Sequence, residues 1–180
     1  MIAEVFEYIK RRVQAEIKHP VSGEPIYERN PRLIIYQHPT IQGVEAIARQ
    51  GYPVCVIALE TITYKPQMGW ESTDKRKIRE FTLRFVVSFY FAIPEPYITA
   101  FFNMIERIFM HHRIVIDEGG EKHMLEQQLT DIRVVEDIKD DILRGLRVVA
   151  SLQFTGLQTL DVSYPAIQKI VWEGTKVEGG

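Results

Sequence analysis

Cys55, His111, His112 and His123 have the side-chain chemistry for nucleophilic or metal-assisted work. Cys55 lies in the run Tyr52–Tyr64 beside Val54, Val56, Ile57 and Leu59. A thiol there is expected to behave as a small buried hydrophobe, since a reactive one needs exposure and a stabilised thiolate. No histidine adjoins it in sequence. His111 and His112 are neighbours at the end of a helical pattern, where adjacent side chains diverge and make a poor pair of metal ligands. A polar helix end accounts for them. Glu136, Asp137, Asp140 and Asp141 offer carboxylates, but not the Asx-x-Asx-x-Asx-Gly spacing with a glutamate at the twelfth position of a calcium loop. A solvated hairpin tip is expected instead. The glycine pairs at 119–120 and 179–180 fit neither a phosphate loop nor a dinucleotide fingerprint.

Phe81, Phe85, Phe89, Tyr90 and Phe91, interleaved with Arg79 and Arg84, have the types needed to stack on single-stranded bases. Their alternation is that of a packed sheet face, and that role is expected. With no catalytic, metal or cofactor site assembled by spacing, assembly is the expected function. A hydrolase around Cys55 or His111 and a single-strand-binding module are the competing readings.

The bulk properties narrow the partners. The chain has 22 basic and 24 acidic residues, so it lacks the basic excess of a duplex-DNA binder. Its one dense basic cluster is Lys75-Arg76-Lys77. With 180 residues, 46% of them hydrophobic, it can bury a core without cross-links; its single cysteine rules out an internal disulfide. Met1–Glu7 shows no basic segment leading into an apolar run, so no signal peptide is expected. Arg84, Ser88, Pro94 and Glu106 interrupt the apolar stretches well short of the roughly 20 residues that span a bilayer. The expectation is a soluble protein made inside the cell, without membrane or sequence-specific nucleic-acid partners.

The elements follow from periodicity. Ile2, Phe6, Ile9, Val13 and Ile17 recur at three and four, predicting a helix over 2–17 that ends before Pro20. An extended stretch over 26–37 is broken at Asn30-Pro31, and 44–50 reads as a helical turn. Strands are predicted over 52–64 and 78–93, joined by a long polar hairpin, 65–78. Pro96 to His112 returns to helical spacing, with the proline in the first turn. The stretch 114–128 is left variable, and strands 129–136 and 143–154 close an antiparallel hairpin through the acidic turn 137–142. The fold class is α+β: a mainly antiparallel sheet with two helices over residues 1–156, then an extended C-terminal arm, 157–180.

This order of elements, with the proline-opened strand Tyr52-Pro53-Val54-Cys55-Val56 and the closing strand Leu146-Arg147-Val148-Val149-Ala150-Ser151-Leu152, resembles the tail-terminator proteins of long-tailed bacteriophages. The resemblance covers about residues 1–156. It implies a hexameric ring in the tail or neck of a virion, assembled in the host cytoplasm. Its partners would be other copies of itself, the tail tube protein, the head–tail connector and a sheath, with the genome passing through the ring. It implies no catalytic residues. Other neck or head-completion adaptors and tail-tube proteins are the neighbouring readings. The residues expected to meet partners are Lys65, Glu71, Asp74, Lys75, Arg76 and Lys77 on the hairpin, and Ile167, Ile170, Val171 and Trp172 on the arm.

Overall fold

The helical stripe at the start of the chain forms α1 (Ile2–Glu16) in a computed structural model that describes residues 1–36, 53–66, 76–90, 93–135 and 147–161. Val5, Ile9 and Val13 are its fully buried residues, joined by Ile17 just past its end, while Ile2 and Phe6 pack at the margin of the core. At Ile17 the backbone turns extended, and Pro20 follows. A short 3-10 turn at Pro31–Leu33 then leads into β1 (Ile34–Tyr36).

Two long strands come next, β2 (Val54–Pro66) and β3 (Arg76–Tyr90). On β3 the alternation is realised in space: Phe81, Leu83, Phe85, Val87 and Phe89 are buried, while Arg84 between them is exposed. Pro96 sits in a 3-10 turn at Glu95–Tyr97, and α2 (Ile98–Phe109) follows it. The second helix stops three residues before the predicted end, so His111 lies beyond it and His112 opens β4 (His112–Glu118).

The stretch 114–128, left variable by the sequence, falls within a β-hairpin. β4 pairs residue by residue with β5 (Glu121–Val135), from Glu118 opposite Glu121 to His112 opposite Gln127. Gly119 and Gly120 make its two-residue turn with φ of 62° and 92°, values that glycine adopts without steric cost. β6 (Arg147–Asp161) continues four residues further than 157, where the arm was expected to start.

The six strands lie in the order β1-β2-β3-β6-β5-β4. Among the described strands only the β1–β2 pair is parallel. The class is therefore α+β with a mostly antiparallel sheet, as the sequence implies. Register shifts between Leu59 and Thr61 on β2, and between Leu129 and Asp131 on β5, bend the sheet. The predicted turn at 44–50, the acidic turn 137–142 and the arm beyond Asp161 lie outside the described residues.

Both helices contribute to one core with the same face of the sheet. Phe85 meets Phe154 edge-on at 5.9 Å, and Phe89 meets Phe101 at 5.4 Å. The Arg12 guanidinium joins the two helices, donating to the Ile108 carbonyl at 2.8 Å and pairing with Glu16 at 2.8 Å. A cation there satisfies one of the carbonyls that a helix C-terminus leaves unpaired. At the β1–β2–β3 end the other face is buried too, with Val54 and Val56 packed by Ile35 and Tyr90. Among the described residues no helix is long and apolar enough to cross a membrane.

Tyr27 is fully buried, yet its hydroxyl has no hydrogen-bond partner among the described residues. Burial also raises its pKa well above the usual tyrosine value. A buried polar group without a partner costs about 1–3 kcal/mol. Tyr27→Phe keeps the ring and removes that penalty, so the melting temperature is expected to rise. A fall would mean that the hydroxyl does have a hydrogen-bond partner, outside the described residues or in an ordered water.

Candidate interaction surface

Cys55 and His112 are held by packing and hydrogen bonds. Cys55 is buried on β2 opposite Phe89, and burial pushes its thiol pKa far up, away from the nucleophilic thiolate. His112 Nδ1 lies 2.7 Å from the Met110 carbonyl and His112 Nε2 lies 2.9 Å from the Tyr8 hydroxyl. The carbonyl can only accept, so Nδ1 carries the proton and Nε2 accepts from Tyr8. Gln127, buried across from it, donates to the same carbonyl at 3.3 Å. This network fastens α1 to the end of α2 and to β5.

His111 is exposed, 3.8 Å from Glu126. His123 lies 3.7 Å from Glu118 and 3.9 Å from Glu121. The structure does not bring these histidines to Cys55 as a shared site, and among the described residues no three His, Cys, Asp or Glu side chains form a candidate metal site. The rings of Phe81, Phe85 and Phe89 are in the core, where bases cannot stack on them.

The charged end of the β2–β3 hairpin is partly described. Lys65, well exposed, pairs with Glu80 at 3.0 Å across the two strands. Arg79 lies over the Tyr64 ring at 3.8 Å and donates twice to Gln158, at 3.0 and 3.2 Å. Arg76 and Lys77 are strand residues, opposite Asp161 and Leu160 on β6, rather than part of the loop. Glu71, Asp74 and Lys75 lie outside the described residues, as do Ile167, Ile170, Val171 and Trp172.

A surface that the sequence reading missed lies on the face of β4 and β5 turned away from the helices. Ile114, Ile116 and Leu125 point into the core, which turns Arg113, Val115, Asp117, Met124 and Glu126 outward. Val115 and Met124 are directly paired and remain 61% and 62% exposed. Leu157 on β6 is 55% exposed. Met124 and Leu157 line an open concavity of about 820 Å³ whose rim carries Glu80, Arg113, Lys122 and Glu126. An open surface that mixes exposed apolar side chains with charges of both signs suits a protein partner better than a small polar substrate. The signal was present in the sequence: Ile114 and Ile116 on one side of Gly119-Gly120, with Leu125 and Leu129 on the other, have the period of two of a hairpin.

No protein-family model matches this sequence, and no curated protein matches it significantly.

Proposed function

We propose that this chain is a virion assembly protein that forms a ring on the end of a phage tail tube, stops its growth and presents a docking surface to the head connector. The observation that carries the proposal is the difference between the two sides of the sheet. Two helices cover one side, while the other side, over β4 and β5, carries the exposed Val115–Met124 pair, with Met124 also lining the charge-rimmed concavity. A cap needs two unlike surfaces, one for the tube and one for the connector. The order of elements supports the same reading, and so does the charged end of the β2–β3 hairpin.

Rim charges such as Lys65 and Glu80 would set orientation and association rate more than affinity. Ring closure requires a heterologous contact between copies, related by rotation. A neck adaptor or a tube protein could use similar surfaces, and copy number separates these readings. A tube protein is present in many stacked rings, whereas a cap is present in one. The proposal is tested by assembling particles without the chain and measuring tail length and attachment to heads.

A further inference from the structure

We propose that β4 is a self-pairing edge: it adds in antiparallel fashion to β4 of a second copy, about a two-fold axis through Val115. β4 is the outermost strand at its end of the sheet, and β5 is its only strand partner among the described residues. An open edge of this kind accepts another strand.

The charges of β4 choose the occupant. The strand reads His112-Arg113-Ile114-Val115-Ile116-Asp117-Glu118, basic at one end, apolar in the middle and acidic at the other. Turned antiparallel upon itself about Val115, it sets Arg113 opposite Asp117 of the second copy, and Asp117 opposite its Arg113. Ile114 meets Ile116 on the core-facing side, and Val115 meets Val115 on the outer side. Antiparallel partners share a face, and directly opposite Cβ atoms stand about 4.5–5.5 Å apart, within reach for ion pairing.

The neighbouring strand extends the match. Within one copy Arg113 is opposite Glu126, Val115 opposite Met124, and Asp117 opposite Lys122. Pairing therefore creates a row that alternates in sign across four strands: Glu126, Arg113, then Asp117 and Lys122 of the second copy. It also makes one apolar row, Met124–Val115–Val115–Met124, from the most exposed large side chains on this face. Arg113 makes no ion pair among the described residues, and Asp117 uses one carboxylate oxygen to accept the Gly120 N–H at 2.9 Å, leaving the other free. The opposite edge, β1, is a poorer partner for β4. It spans only Ile34–Tyr36 and has no charge to match Arg113 or Asp117.

The contact is isologous, so it is separate from the heterologous contact of a ring and can pair two free copies or two rings. It stands or falls independently of the capping proposal.

The test is sedimentation of the full chain over a concentration series. The wild type is expected to show a species with twice the copies of its smallest unit. Arg113→Asp alone and Asp117→Arg alone each set like charges opposite each other at both symmetric positions, and each should weaken pairing at least about tenfold. An equimolar mixture of the two variants restores both pairs, so it should regain the doubled species. Val115→Lys mixed with Val115→Glu repeats the test without touching the turn bond of Asp117, and thermal melts check that each variant folds. A wild type that never doubles, single variants that double like the wild type, or folded variants whose mixtures remain unpaired would each overturn the proposal. Rings that persist in the single variants at half the wild-type copy number would separate loss of pairing from loss of the ring.

Discussion

Phe85→Ala is expected to destabilise the protein by about 3–5 kcal/mol, the usual cost of emptying a buried aromatic site. Phe85 is fully buried at the middle of β3, between Leu59 on β2 and Leu152 on β6. Its ring stands edge-on to Phe154, which in turn meets Tyr8 of α1 edge-on at 6.3 Å. Truncation therefore leaves a cavity where the central strands meet the helical layer, and neighbouring rings can collapse into it only in part. Denaturant unfolding should show a lower midpoint with an unchanged slope. An unchanged midpoint would show that Phe85 does not face the core.

Gly156→Val is expected to cost about 1–3 kcal/mol through overpacking. Gly156 lies on β6 between Phe81 of β3 and Leu125 of β5, directly opposite both. A Cβ built there would clash with Leu125 Cδ2 and stand 3.0 Å from Phe81 Cζ. Both neighbours are buried, so neither can swing into solvent. The bare backbone lets these two side chains close over the strand. Leu125→Ala in the Gly156→Val background should recover part of the loss, because it removes the nearer clash. If the double variant is no better than the sum of the two single changes, the contact is not the cause.

Legibility depended on how cleanly each element separates its two sides. On β3 the inward positions from Phe81 to Phe89 are all apolar, so its period and its inward face could be read directly. α1 and α2 were similarly plain, because their buried residues recur at three and four. The β4–β5 hairpin was hidden because its inward positions are mixed. His112 and Gln127 face each other on the inner side, and His123 lies opposite Ile116. Polar residues at core positions break the pattern that a strand reading depends on. His112 and Gln127 are accommodated there because the nearby Met110 carbonyl accepts from both and the Tyr8 hydroxyl, distant in sequence, bonds to His112.

The same ambiguity concealed the exposed surface. Val115 and Met124 look like core residues until the inward positions of Ile114, Ile116 and Leu125 are known. The charged hairpin was readable as polar sequence, but its strands reach further than expected, to Pro66 and from Arg76. The backbone of Arg76 and Lys77 is thus in strand register with Asp161 and Leu160 of β6.

The central claim, that the chain caps a growing tube, is tested most directly by the length distribution of tails assembled in its absence. Without the chain, tails of irregular length that fail to join heads are expected, with uniform length and joining restored when the wild-type chain is supplied. Tails of normal, uniform length joined normally to heads without the chain would contradict it.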